Sequence, residues 1–134
     1  MQTTVSTEFN ADVVAYLRDH HTVTLSTSSF TGFPHANTAL YVNDDQRLYF
    51  FVRDGSVLLN NLVGSHSAAF TVDDYAPAWQ KRRELHGSGS CGAADNLQAQ
   101  VALELCAEKF GDSLPTGALW WLAPSGMYFI DYTL

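Results

Sequence analysis

Apolar and polar positions change period several times along the chain, and each change marks an element. Phe9, Val13, Val14 and Leu17 recur at helical spacing, with Asp12, Arg18 and Asp19 off that stripe. A helix over Asn10–His20 is expected, capped by Asn10 or Thr7. His20 and His21 close it and read as solvated residues near a helix C-terminus rather than as metal ligands. From Thr22 the period falls to two, with Val23 and Leu25 alternating with Thr22, Thr24 and Ser26. SSFTGFP turns the chain at Gly32 and Pro34, and a second strand runs from about His35 to Val42. A third strand, RLYFFV, is dense in aromatic and β-branched residues and belongs deep in a sheet. Short connections between these strands favour an antiparallel meander.

The later chain follows the same logic. DGS at 54–56 ends the third strand. Ser56 then caps a short helix whose apolar face is Leu58, Leu59 and Leu62, with Gly64 as its stop. SAAFTVDD is a fourth strand. Pro77 bends the chain before a fifth strand over Arg83–Cys91, where Gly87, Gly89 and Gly92 imply close backbone approach or a bulge. A long helix is expected over Asn96–Phe110, with Leu97, Val101, Leu105, Cys106 and Phe110 on its stripe and Gly111 as its stop. Two last strands, ALWWLA and MYFIDY, flank PSG. Strands dominate and do not alternate with helices. The expected fold is therefore mainly β, an antiparallel β-barrel with peripheral helices.

Composition narrows the class. The chain has 134 residues, 46% of them apolar and 13% aromatic, which suits a single domain over 1–134 with a real core. Seven Lys and Arg against 14 Asp and Glu give a net charge of −7, which argues against general nucleic-acid binding. No apolar run approaches the ~20 residues needed to span a bilayer, and no secretory signal opens the chain. No membrane association and a cytoplasmic location are the expectations. Cys91 and Cys106 fit no zinc spacing and read as small buried side chains.

No strong catalytic motif is present: GxSxG, Walker A, HExxH and GxGxxG are all missing. GSGSCG at 87–92 lacks the lysine of a phosphate loop. His35, His66 and His86 have no metal-ligand spacing. Two features carry chemistry. One is the strand-to-helix junction FFVRDGSVLLNNL, where the free N–H groups of a helix start, with Arg53 just before Ser56, suit an anion. An ordinary capped helix remains the simpler reading of that junction. The other is Lys81, Arg82 and Arg83 beside Trp79, either a solvated strand edge or a site for an anion or a flat ring.

In order, these segments resemble a known family. TVTLSTSSFTGFPHANTALYV, RLYFFVRDGSVLLNNL, SAAFTVDD and WQKRRELHGSGS are similar to the FMN-binding split-barrel family related to pyridoxamine 5′-phosphate oxidase. The matching positions are Leu25, Thr27, Gly32, Pro34, His35 and Ala36, then Ser56, Asn61 and Leu62, then Arg83, Leu85 and Gly89. The likeness runs from about Asp12 to Gly92, and MYFIDY suits it. It implies a six-stranded antiparallel split barrel, a homodimer, and FMN in two symmetric clefts at the subunit interface. Asn37, Thr38 and Ala39 fall in the second-strand contact region, Phe51 and Val52 at the end of the third strand, and Ser56 at the phosphate end. Arg83 and Glu84 match a later strand that reaches the flavin, often from the partner subunit.

Departures from the pattern matter. Members that hold FMN tightly carry a basic residue, usually Lys, two positions after the serine, where this chain has Leu58, and Ala36 stands where the oxidase has an Arg. Each missing charge-assisted hydrogen bond removes about 1.5–3 kcal/mol, at about 1.4 kcal/mol per decade of affinity. Arg53, Arg82 and Arg83 are candidate replacements. The oxidase's C-terminal substrate segment has no counterpart, so oxidation of pyridoxamine phosphate is not expected. Two functions follow from the resemblance. One is a small flavoprotein, an oxidoreductase acting on a small molecule. The other is a split-barrel homodimer that has lost FMN and serves as a binding or regulatory module, or takes haem or a deazaflavin. The apolar surface of ALWWLA and RLYFFV is the expected motive for pairing.

Overall fold

The computed structural model describes all residues, 1–134. In chain order the elements are β1 (Gln2–Ser6), α1 (Ala11–Arg18), β2 (Thr22–Ser28), β3 (Pro34–Asn43), β4 (Leu48–Val52), α2 (Val57–Ser65), β5 (Ser67–Asp73), β6 (Arg83–Ala93), α3 (Asn96–Phe110) and β7 (Ala118–Asp131). The strands are ordered β1-β7-β4-β3-β2-β5-β6, every pairing is antiparallel, and β6 returns to pair with β7. That last pairing closes a six-stranded barrel and leaves β1 outside it, as an extra strand on β7. The mainly β, barrel-with-helices expectation is met.

Two strand expectations are corrected. ALWWLA and MYFIDY form one strand, because PSG does not turn. Ser88 pairs with Gly126 and Gly89 with Pro124, so Ser125 is the extra residue of a bulge that lets Pro124 stay in the strand. The N-terminal half of β7 pairs with β4 and its C-terminal half with β1. β1 itself was not foreseen. None of its residues is fully buried, so it has no apolar alternation to read and is held through its backbone.

Period-two alternation sorts the aromatic strands into two layers. Phe50 and Val52 of β4 and Trp120 and Leu122 of β7 enter the main core, with Val23, Leu25, Tyr41, Phe70 and Leu85. Their neighbours Tyr49, Phe51, Leu119 and Trp121 face outward and are covered by α3. The apolar surface that was to drive pairing is thus largely hidden within one chain. Of the stripe read for α3, Leu105, Cys106 and Phe110 pack over the sheet and Leu97 and Val101 do not. Ala102 and Cys106 face the sheet, while Leu97 is 72% exposed and Val101 39%. Small residues face inward because the helix lies over rings as large as Tyr49 and Trp121. Both cysteines are free and buried, and burial pushes the Cys91 thiol up to about 12.

Local signals set the helix ends. Asn10 Oδ1 accepts from Val13 N at 2.9 Å, and Ser56 Oγ accepts from Leu59 N at 3.1 Å. Gly111, at φ 68°, ends α3. α2 passes through Gly64 and stops instead at His66, which is left-handed at φ 53°. A Cβ at Gly87 or Gly89 would collide with the carbonyl oxygen of Gly126 or Ala123, so β6 and β7 meet backbone to backbone as the glycines implied. No helix is long and apolar enough to cross a membrane.

Candidate functional site

A mismatch in strand length opens the site. β3 has ten residues, but β4 pairs only with Tyr41–Asn43. Pro34–Leu40 therefore pair with β2 on one edge and have no strand on the other. β4 stops at Val52, and Gly55, at φ 72°, helps turn the chain into α2. Between the free edge of β3 and the start of α2 lies a cleft of about 650 Å³. Asn37, Thr38, Ala39, Phe51, Arg53 and Ser56 all line it.

At the α2 end, the cleft gathers hydrogen-bond donors and one cation, which suit an anion. The cap leaves the N–H groups of Val57 and Leu58 without helical acceptors. Ser56 Oγ accepts from Leu59 and keeps its own hydrogen to donate. Arg53 is exposed, enters no salt bridge, and is the one Lys or Arg on the lining. Leu58, at the position of the family's phosphate lysine, also borders the cleft, but as an apolar side chain it turns into the barrel. It is 4% exposed and packs in the barrel core, and Val57, 52% exposed, is the side chain at the rim. On the β3 wall, Asn37 Oδ1 is buried with no hydrogen-bond partner. An orphaned acceptor of this kind costs free energy until a donor reaches it.

Three expected residues lie elsewhere. Val52 is 1% exposed and faces the core, since adjacent strand residues point to opposite faces. Arg83 and Glu84 open β6, outside this chain's own cleft. Arg83 Nε lies 3.4 Å from Asp74 Oδ2, and its guanidinium sits over the Tyr16 ring. Glu84 accepts from Tyr132 and from Arg82, which also reaches Asp73 at 3.0 Å and covers Trp79. Arg82 and Arg83 are thus engaged by carboxylates, and neither replaces the missing lysine within one chain.

His20 is not the solvated residue expected. It stacks on Tyr16 at 4.0 Å, its Nδ1 donates to the Tyr16 carbonyl at 2.6 Å, and its Nε2 lies 2.6 Å from Asp74 Oδ1. Burial pushes the Asp74 carboxyl up, but hydrogen bonding from His20, Tyr16 and the Arg83 backbone, with the Arg83 charge, holds it below the usual carboxylate range. This cluster ties α1 to the start of β6.

His35, Leu40, Gly55, Val57 and Pro115 also line the cleft, beyond the residues expected there. His35 stands two residues before Asn37 on the same strand face, so its signal was present. Pro115 comes from the loop before β7, and nothing local placed it there.

The family model described as Pyridoxamine 5′-phosphate oxidase matches residues 9–131, and the chain belongs to that family. Solved structures share its fold. A conserved protein of Mycobacterium tuberculosis, Rv2991, superposes with a TM-score of 0.77 at 15% identity, over 92% of this chain and 84% of that one. HutZ, the heme storage protein from Vibrio cholerae, gives 0.72 at 16%, over 87% and 90%. An FAD-binding protein from Mesorhizobium loti gives 0.70 at 14%, over 98% and 99%. No curated protein matches by sequence.

Proposed function

We propose that the chain is a small flavoprotein that holds FMN in this cleft, as one subunit of a homodimer, and works as an oxidoreductase on a small molecule. The observation that carries this reading is a convergence. One cleft receives an anion-binding helix start and a free strand edge with an acceptor that lacks a donor. Membership of the family and the likeness to an FAD-binding protein support it.

The residues fit the cofactor. The N–H groups of Val57 and Leu58, the Ser56 hydroxyl and Arg53 would hold the phosphate. The free edge of β3 offers backbone groups to the ring, and Asn37 Oδ1 gains a donor from a ring N–H by a turn of its side chain. Phe51 and Ala39 supply apolar contact. FMN, when bound, supplies hydride or electron transfer. The protein orients it, excludes water from one face and leaves His35 as the titratable side chain at hand for a proton. Arg83 and Glu84, remote from their own cleft, would serve the cleft of a second copy.

The test is a titration of the purified protein with FMN, followed by flavin fluorescence quenching and by the absorbance band near about 450 nm. Saturable binding of one FMN per chain, weakened in Ser56→Ala, is expected. Absence of binding at high micromolar FMN would sink the reading. One observation favours a different ligand: the phosphate end has a single guanidinium and its lysine position is buried leucine. That suits the second reading, a split-barrel homodimer that has lost FMN and acts as a binding or regulatory module, or takes haem or a deazaflavin. The likeness to a heme storage protein is its support. Hemin giving a saturable Soret band, in protein that ignores FMN, would establish it.

A further inference from the structure

We infer that Asn61 is the positioning residue that aims the first turn of α2 at the phosphate end of the cleft, through its buried hydrogen bond to Thr27. This rests on the flavin reading above. Asn61 is the one polar side chain among the buried residues of α2, where it lies beside Leu58 and Leu62, and it is 5% exposed. Its Nδ2 donates to Thr27 Oγ1 at 3.0 Å. Thr27 is also 5% exposed and pairs across β2–β3 with His35, which lines the cleft. The bond therefore joins the helix that forms one wall of the cleft to the ladder that forms the other.

Physical reasoning gives the bond a task that packing cannot perform. Leu58 and Leu62 press α2 onto the barrel, but apolar burial is non-directional and tolerates small slides and rotations. A hydrogen bond weakens steeply once its angle departs from linear. Asn61 thus fixes the rotation of α2 as well as its distance, as buried polar groups fix register in paired helices. A leucine there would fit the apolar face better, since burying an amide has a cost.

The shortage of cations makes that orientation decisive. Attraction between Arg53 and a phosphate falls only as the inverse of distance and survives small displacements. Hydrogen bonds from the Val57 and Leu58 N–H groups and the Ser56 hydroxyl do not. With one guanidinium at the site, preference for a phosphorylated ligand depends mainly on how well those donors point.

The experiment compares FMN with riboflavin, which has the same ring and no phosphate, by fluorescence quenching at two salt concentrations. The variants are the wild type, Arg53→Gln and the double substitution Asn61→Leu with Thr27→Val. Removing both polar partners together leaves no orphan, so the double variant is expected to fold, as thermal unfolding will show. It should lose about tenfold in FMN affinity, keep its riboflavin affinity and keep the salt dependence of FMN binding. Arg53→Gln should lose affinity and flatten that salt dependence. If the double variant does not fold, Thr27→Val alone carries the same expectation with a smaller loss. A wild type that binds neither ligand overturns the flavin reading and this inference together. A wild type that prefers FMN, with that preference intact in the folded variant, overturns the inference and leaves the reading standing. Equal wild-type affinity for both ligands does the same.

Discussion

Two adjacent residues at the start of α2 allow the site geometry to be tested by placing one lysine in two positions. The family pattern puts the phosphate lysine at position 58, but Leu58 is 4% exposed and belongs to the main core. Leu58→Lys removes a buried leucine and brings an ammonium group into its place. Loss of the leucine alone costs about 2–5 kcal/mol, and the charge adds to it unless the long stem lets the head reach the cleft. A net loss of about 3 kcal/mol is expected, and in a chain of this size that lowers Tm by roughly 10 °C.

Val57→Lys acts differently, because Val57 is 52% exposed and already lines the cleft. Without ligand, a cation at a helix start costs about 0.3–1 kcal/mol through the helix dipole. With phosphate present, a charge-assisted hydrogen bond returns about 1.5–3 kcal/mol, less up to about 2 kcal/mol for ordering the side chain. The balance is a three- to tenfold gain in FMN affinity, at roughly 1.4 kcal/mol per decade, and none for riboflavin. Thermal unfolding and FMN and riboflavin titrations at low and moderate salt measure both effects. If Leu58→Lys melts with the wild type while binding FMN tightly, position 58 opens to the cleft and its packing in the core is not what holds α2 in place. If Val57→Lys leaves FMN affinity unchanged at low salt, the phosphate is not at α2.

Stability should vary with pH in two opposed steps. Burial pushes Lys109 down to about 8 from 10.5, against the opposing charges of Cys106 and Asp19. The unfolded chain therefore holds the extra proton between those values, and stability rises as pH climbs through that window. Burial raises Tyr16 and Tyr41 above the ordinary 10.0, with Asp74 and Asp19 adding to the effect. Above that pH the unfolded chain loses protons first and stability falls. Burial raises the Cys91 and Cys106 thiols above their ordinary 9.0 as well, so the fall starts there, Tm should peak near pH ~9, and Lys109→Met should remove the rise while sparing the fall. Gly89→Ala drives a methyl into the Ala123 carbonyl at the β6–β7 bulge, and a loss of about 3 kcal/mol or insoluble protein is expected on denaturant titration. Light scattering at micromolar concentration should give twice the 14.8 kDa chain mass; a monomer removes the second copy and any role for its Arg83 and Glu84 at the cleft.

What the sequence disclosed was local. β2 to β6 and the three helices are changes of period, and Asn10, Ser56 and Gly111 act at the helix ends as their side-chain chemistry implies. Six candidate residues reach one cleft because strand, turn and helix start are contiguous there or paired nearby. The rest depended on distant partners. β1 is polar and identifiable only once β7 offers it an edge. Over the rings beneath α3, Ala102 takes the inward place that Leu97 and Val101 leave, while Leu105 and Phe110 still pack there. His20 is held by Asp74, 54 residues away. Val52 alternates with Phe51 and turns into the core, whereas Asn37, Thr38 and Ala39 all reach the cleft because it runs along the edge of their strand and not over one face.

The cleft and its helix share one cause. Val52 pairs with Ala118, and Gly117, at φ 126°, lies so close that a Cβ there would strike the Val52 carbonyl. β7 thus begins where β4 ends, and β4 has no partner with which to continue beside β3. The chain must leave the sheet at that point, and α2 starts beside the strand edge that β4 has abandoned. An unpaired edge costs free energy wherever water reaches it poorly, because its N–H and C=O groups need partners. A flat ring bearing donors and acceptors on its rim can take the place of the missing strand, and a phosphate can take the place of the missing acceptors of α2. Both deficits arise where β4 parts from β3 after Phe50 and stops at Val52. A substitution that lengthened β4 would therefore close the ligand site by satisfying the backbone that creates it.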